Sequence, residues 1–116
     1  MDDESVRPWG HYEVLADGPD FKVKTITVRP GNRLSYQRHE HRSEHWFVVK
    51  GSGVVTLDGS AVPVQAGVAV DVPVGVPHRV ENTSEQDDLV FVEVQHGESF
   101  GEDDIVRLED DYGRSG

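Results

Sequence analysis

The chain has 116 residues and no cysteine, which predicts one domain with its own hydrophobic core and excludes disulfides, thiolate zinc sites and cysteine nucleophiles. Its 22 acidic residues outnumber its 11 basic residues, and the net charge of -11 argues against nucleic acid or an anionic membrane as a partner, because both bind basic surfaces. The acidic N-terminus lacks the features of a signal peptide, and no apolar run approaches the ~20 residues that span a bilayer, so we expect a cytoplasmic protein.

Short segments rich in valine and threonine, separated by glycine and proline, indicate many short strands and no long amphipathic helix. The predicted strands are residues 21–28, 33–37, 45–49, 53–57, 61–64, 68–72, 78–82 and 89–95. Asp58-Gly59, between two of these strands, is typical of a tight type I′ hairpin turn. Strands at this spacing predict an all-β fold, a single jelly-roll barrel.

The two ends of the chain differ from this valine-rich middle. Residues 1–6 are acidic at their start, and we expect them to be flexible. Residues 97–116 are rich in Asp and Glu and contain one apolar pair, Ile105-Val106, so they are expected to form a short edge strand or helix on the barrel, or a loosely held tail. No internal repeat or low-complexity linker interrupts the chain, so residues 1–116 are expected to form one domain.

Two clusters of metal-binding residue types contain four of the six histidines. Gln37, His39 and His41 alternate along a predicted strand, so their side chains can share the face that lines the barrel. Glu44 follows after a short turn, and His78 comes from a separate hairpin behind a Pro-Val-Gly turn. Convergence of these groups predicts a site for one divalent metal ion such as Zn, Co, Mn, Ni or Fe.

Two ligand sets are compatible with these residues. One consists of Gln37, His39, Glu44 and His78, in which the glutamine amide oxygen is the weakest ligand. The other replaces Gln37 with His41, whose imidazole is a stronger ligand but which is separated from Glu44 by only two residues.

Arg42 lies beside the proposed ligands, in the predicted turn. A guanidinium there would steady a developing oxyanion or bind a phosphate, although most turn arginines are simply solvated. Arg38, Arg79 and Lys24 are weaker candidates for a phosphate contact, because the sequence alone does not fix which face of its strand each occupies.

The spacing within both clusters resembles the two motifs of the cupin superfamily. The first cluster reads Gly31, five residues, Gln37-x-His39, four residues, Glu44, six residues, Gly51, and the second reads Gly67, five residues, Pro73-x-Gly75-x-x-His78, three residues, Asn82. Glutamine replaces the first histidine of the usual motif. The match favours the ligand set with Gln37, because the spacing sets the strand register, and it implies a cupin jelly roll, the double-stranded β-helix barrel.

A narrower resemblance covers residues 7 to 114. It rests on Arg7-Pro8-Trp9-Gly10, Lys22-Val23-Lys24, Gln37-x-His39-x-His41-Arg42-x-Glu44-His45-Trp46, Pro73-x-Gly75-x-x-His78-Arg79-x-Glu81-Asn82, Glu93-Val94-Gln95, Gly101-Glu102-Asp103-Asp104-Ile105-Val106-Arg107 and Asp110-Asp111-Tyr112-Gly113-Arg114. These segments resemble the type II mannose-6-phosphate isomerase domain. In that family the domain usually follows a mannose-1-phosphate guanylyltransferase domain, whereas here we expect it to stand alone.

The resemblance implies a metal-dependent aldose–ketose isomerase that interconverts mannose 6-phosphate and fructose 6-phosphate through an enediolate. It carries the metal-ligand roles onto Gln37, His39, Glu44 and His78, and an active-site role onto Arg42. The candidates for the general base are His41, His45 and a hydroxide on the metal, because this step needs a group with a pKa near neutrality.

Three positions depart from the family pattern, namely Arg38, Glu40 and Thr25. The changes at Glu40 and Thr25 remove positive charge near the site, so the exact sugar substrate stays open. Two other functions also stay open: a non-catalytic, regulatory cupin that binds a sugar, and a cupin dioxygenase, which would need a redox metal and the His39/His41 ligand set. A second copy commonly covers the valine-rich edges of a small cupin, so we expect a homodimer.

Overall fold

The computed structural model describes residues 5–100 and 104–111, which form β-strands and contain no α-helix. The strands are β1 Val6–Arg7, β2 Gly10–Asp17, β3 Phe21–Val28, β4 Tyr36–His39, β5 Arg42–Lys50, β6 Ser52–Leu57, β7 Ser60–Gln65, β8 Ala69–Val72, β9 His78–Glu81, β10 Leu89–Gly97 and β11 Ile105–Glu109. The described part of the chain has no helix long and apolar enough to cross a membrane.

The strands form two antiparallel sheets that enclose one hydrophobic core. The six-stranded sheet has the order β1-β2-β3-β10-β5-β8, and the five-stranded sheet has the order β11-β4-β9-β6-β7. Alternate residues of the central strands face inward, and the buried core consists of Trp9, Ile26, Val28, Trp46, Val48, Val55, Val64, Val70, Val72, Val80, Leu89 and Phe91. This architecture confirms the predicted all-β jelly roll.

Most predicted strands are present, and two differences have a physical reason. The strand predicted at 33–37 begins only at Tyr36, because Arg33 makes just an isolated bridge with Glu81. The sequence prediction missed β2, whose residues are mostly exposed and therefore lack the apolar alternation that signals a strand.

Both ends of the described chain join the sheets. Val6 lies in β1, within the segment that was expected to be flexible, and Ile105-Val106 lies in β11, which pairs with β4 as an edge strand. Of the alternatives predicted for the C-terminal segment, the structure therefore contains the edge strand. The predictions made for residues 1–4, 101–103 and 112–116 lie outside the described residues.

The hairpin between β6 and β7 has the predicted turn. Asp58 and Gly59 both have positive φ angles, 48° and 83°, as a type I′ turn requires, and Leu57 pairs directly with Ser60. This turn fixes the register of β6, whose other edge pairs with β9, the strand that begins at His78.

Candidate metal centre

Three buried side chains meet inside the barrel. His39 ends β4, Glu44 lies on β5 and His78 begins β9, and each is at most 4% exposed. One potential ligand atom from each lies within 4.8 Å of the other two. Residues from three separate strands therefore converge on one point, as a mononuclear metal site requires.

The two imidazole rings are oriented by backbone carbonyl groups. The Nδ1 atom of His39 lies 3.3 Å from the carbonyl oxygen of Asp104, and Nδ1 of His78 lies 2.9 Å from that of Val76. A proton on each Nδ1 satisfies these contacts and leaves each Nε2 with a lone pair facing Glu44, at 3.2 Å from His39 and 4.0 Å from His78. The donor set and its orientation fit a divalent metal ion.

Glu44 is held as a carboxylate. The Nε of Arg42 donates to its Oε2 at 3.0 Å, and the Nε1 of Trp46 donates to its Oε1 at 3.0 Å. Burial opposes ionisation, but the hydrogen bond that His39 forms with Glu44 in the absence of a metal, and the positive charge of Arg42, hold the pKa of Glu44 well below its ordinary value. Burial lowers the pKa of His78, which favours the neutral imidazole that binds metals.

Of the two predicted alternatives for a further ligand, Gln37 faces the site and His41 does not. Gln37 pairs with His78 across β4 and β9 and lines the same cavity as the three ligating groups. The strand ends at His39, so His41 lies in the following turn with an exposed side chain. The expectation that Gln37, His39 and His41 share one face was therefore wrong for His41.

His45 also lies outside the cavity. Arg42, Glu44 and Trp46 point inward from β5, so His45 points outward, where its Nδ1 lies 2.5 Å from Oδ1 of Asp71. The sequence could have predicted this orientation, because side chains alternate along a strand and the residue next to an inward-facing Glu44 must face outward. His41 and His45, the two histidines considered as general bases, therefore both lie outside the cavity.

The sequence analysis assigned no role to two buried polar residues of β10. Glu93 and Gln95 both line the cavity, and Nε2 of Gln95 donates to Oε1 of Glu93 at 2.7 Å. Burial, together with the charge of Glu44 and a hydrogen bond to it, raises the pKa of Glu93 well above its ordinary value. The sequence offered one signal for them. Glu93 and Gln95 continue the every-second-residue pattern of Leu89 and Phe91, which face inward from β10.

The cavity above the ligating groups is cationic. It has a volume of about 630 Å³ with its open mouth included, and among the described residues it is lined by five Lys and Arg side chains and two carboxylates. The five cations are Arg7, Lys24, Arg42, Arg79 and Arg107. A cationic cleft in a chain of net charge -11 concentrates anionic ligands locally, against the field of the whole molecule.

The cations occupy different parts of the wall. Arg7 and Lys24 both face the ring of Tyr12, at 5.4 and 4.3 Å from its centroid. Burial lowers the pKa of Lys24, while Glu93 opposes this shift and Arg42 adds to it. Arg38, one of the predicted phosphate contacts, is not among the cavity residues, and its guanidinium lies 3.6 Å from the carboxylate of Glu40.

Comparison with known proteins identifies relatives of nearly the whole chain. Residues 1–110 match the family described as Mannose-6-phosphate isomerase C-terminal. Xanthan biosynthesis protein XanB of Xanthomonas campestris pv. campestris (strain B100) is 47% identical over 109 residues, which cover 94% of this chain and 23% of that protein. A mannose-1-phosphate guanylyltransferase of Salmonella montevideo is 44% identical over 112 residues, which cover 97% of this chain and 24% of that protein.

The chain thus spans about a quarter of the length of these two relatives. Among solved structures, the cupin domain of Schizosaccharomyces pombe Cnp3 superposes with a TM-score of 0.71 at 14% identity, over 75% of this chain and 64% of that chain. This likeness confirms the cupin form of the jelly roll. Since the family match extends over residues 1–110, the chain belongs to the mannose-6-phosphate isomerase C-terminal family.

Proposed function

We propose that this chain is a metal-dependent sugar-phosphate isomerase that interconverts mannose 6-phosphate and fructose 6-phosphate. The observation that carries the proposal is a buried set of metal-ligating side chains at a cavity where five of the eleven cationic residues converge. The ligating groups suit aldose–ketose chemistry, the cations suit an anionic substrate, and membership of the family supports mannose 6-phosphate as the sugar.

The metal would be held by His39, Glu44 and His78, with the amide oxygen of Gln37 as a fourth ligand. Imidazole, carboxylate and amide groups suit Zn, Co, Mn, Ni or Fe. A divalent ion bound there would polarise the C1 and C2 oxygens of the sugar as a Lewis acid.

Arg42 supports this site in two ways. Its Nε donates to Glu44 at 3.0 Å, and one terminal nitrogen lies 3.4 Å from Nε2 of His39, so the guanidinium fixes the position of the carboxylate between the two histidines. Its positive charge, buried beside the reacting sugar oxygens, also stabilises the negative charge that develops on them in the enediolate.

Isomerisation moves a proton between C1 and C2, so it needs an acid–base group inside the cavity. His41 and His45 are exposed and do not line the cavity. Glu93 does line it, on the strand next to the one that carries Glu44. We therefore assign the proton transfer to the carboxyl group of Glu93.

We assign the phosphate group to cations that line the cavity, namely Arg7, Lys24 and Arg107. Arg79 also lines the cavity. Its Nε donates to the carbonyl oxygen of Leu34 at 2.8 Å, so Arg79 mainly joins β9 to the loop before β4. Cationic side chains there would bind the phosphate group while the sugar carbons lie at the ligating groups.

A coupled assay for fructose 6-phosphate tests the proposal. The chain is stripped of metal, reloaded in turn with Zn, Co, Mn, Ni and Fe(II), and mixed with mannose 6-phosphate. We expect turnover only after reloading, and a loss of at least about 100-fold in Glu93→Gln with its metal content unchanged. Absence of turnover with every metal, in a chain that contains metal and binds mannose 6-phosphate calorimetrically, would contradict catalysis and favour the sugar-binding alternative.

A further inference from the structure

Tyr12 is an aromatic residue of the cavity wall that has no part in the proton transfer or in metal binding. It belongs to β2, which lies between β1 and β3 in the six-stranded sheet. Its half-buried side chain packs against the hydrophobic core and lines the cavity. The contacts with the core therefore fix the position of the ring at the cavity wall.

Each strand beside β2 supplies a cation to this ring. The guanidinium carbon of Arg7, on β1, lies 5.4 Å from the ring centroid, and Nζ of Lys24, on β3, lies 4.3 Å from it. In the register of the sheet, Arg7 pairs with Gly10 and Lys24 pairs with Val14, so the two cations reach Tyr12 from opposite sides of β2. Both distances are within the ~6 Å at which the face of an aromatic ring attracts a cation.

An aromatic partner holds these side chains without cancelling their charge. Lys22, two residues before Lys24 on β3, has a carboxylate partner instead: its Nζ lies 4.0 Å from Oδ2 of Asp17, and Lys22 is not among the cavity residues. A carboxylate at the wall would repel a phosphate, whereas the tyrosine ring carries no net charge. A cation that is already held by the ring also has less rotamer freedom to lose when it binds an anion.

We propose that Tyr12 is a positioning residue that holds Arg7 and Lys24 in place for the phosphate group of the substrate. The inference rests on the proposed function, because it takes a sugar phosphate as the ligand of the cavity. Tyr12 acts through the two cations and not at the reacting carbons. Its loss should therefore raise KM for mannose 6-phosphate and leave kcat nearly unchanged.

Calorimetric titration of the metal-loaded chain with mannitol 6-phosphate tests the proposal. This ligand carries the phosphate but no carbonyl group, so its binding is measured without turnover. We expect Tyr12→Leu to weaken binding at least about 10-fold, because both ring contacts are lost, and Tyr12→Phe to restore the affinity to within about twofold. Tyr36→Leu is the matched control, because Tyr36 is also half-buried but lies on β4 and is not among the cavity residues. Circular dichroism establishes that each variant is folded.

Two further measurements distinguish the attraction of the ring from simple packing. Replacing Tyr12 with phenylalanine that carries successively more ring fluorine atoms withdraws electrons from the ring face with little change of shape, so the affinity should fall with each added fluorine. In a Lys24→Gln background, Tyr12→Leu should weaken binding less than it does alone, because one of the two cations that the ring holds is already absent.

Three results would overturn the proposal: no binding of mannitol 6-phosphate to the unsubstituted chain, equal affinity in Tyr12→Leu, or an affinity that fluorination does not change. Failure of the isomerase gives a different result. Binding that depends on Tyr12 in a chain that does not convert mannose 6-phosphate would uphold the role of Tyr12 and contradict catalysis. Conversion by a chain whose affinity is insensitive to Tyr12 would do the reverse.

Discussion

His78 and His41 form a matched pair of histidines, because one faces Glu44 in the barrel and the other is exposed after β4. His78→Ala should weaken metal binding more than about 100-fold, since it removes an imidazole ligand, while Gln37→Ala should weaken it about 10-fold, since an amide is a poorer ligand. His41→Ala should leave the affinity unchanged. Competition with a chromophoric chelator measures all three, and release of metal by His41→Ala alone would contradict the site.

The residues of this site were predictable to different degrees. Spacing was enough for His39, Glu44 and His78, because their strands follow the cupin pattern. The direction of His41 depended on where β4 ends, and the sequence does not locate a strand end to one residue. Glu93 remained without a role because its partner Glu44 is distant in sequence, so only the folded chain brings the two carboxyl groups together.

Asp104, the residue before β11, fastens the turn between β4, which ends at His39, and β5, which carries Glu44. The carboxylate of Asp104 accepts hydrogen bonds from the backbone N–H groups of Glu40 and His41, at 3.0 and 3.1 Å. Asp104→Ala should therefore cost about 1.5–3 kcal/mol in the free energy of unfolding, as expected when a charged acceptor is lost. Urea denaturation measures the loss, and hydrogen exchange should accelerate at both amides.

The control for this change is Glu85→Ala, which removes an exposed carboxylate from the loop between β9 and β10. We expect it to alter stability by less than about 0.5 kcal/mol. Equal effects of the two substitutions would mean that Asp104 does not hold the turn.

Alanine substitutions at two glycines in and beside β6 distinguish the cost of backbone strain from the cost of a steric clash. Gly59 has a φ angle of 83° and open space where a Cβ would stand, so Gly59→Ala should cost about 1 kcal/mol from strain alone. A Cβ at Gly53 would lie 2.2 Å from the carbonyl oxygen of Glu81, so Gly53→Ala should cost about 3 kcal/mol or more. Comparable losses in urea titrations would contradict the described pairing of β6 with β9.

The turn after β6 was predictable from neighbouring residues alone, whereas β2 was not. The turn at Asp58-Gly59 was predictable because its backbone angles follow from those two residue types. By contrast, β2 is followed by a turn signal, Gly18-Pro19, but lacks apolar alternation. It is ordered by pairing with β3, which the sequence reveals only through the complete sheet.

At the scale of the whole molecule, the net charge of -11 should make stability depend on salt. Carboxylates repel one another more than the basic residues can compensate, and dissolved ions screen this repulsion within about 10 Å at 0.1 M. The melting temperature should therefore rise by a few degrees between about 10 and 300 mM NaCl. Calorimetric scans in NaCl and KCl should agree, and a constant or falling melting temperature would contradict net repulsion.

We propose that His39, Glu44 and His78 hold a divalent metal ion in a site where this chain isomerises a sugar phosphate. An NMR time course of mannose 6-phosphate with the metal-loaded chain tests it most directly, beside His78→Ala purified from the same host. We predict that fructose 6-phosphate signals grow with the loaded chain and not with the variant. No conversion by a chain shown to contain one metal ion, or equal conversion by the variant, would contradict this proposal.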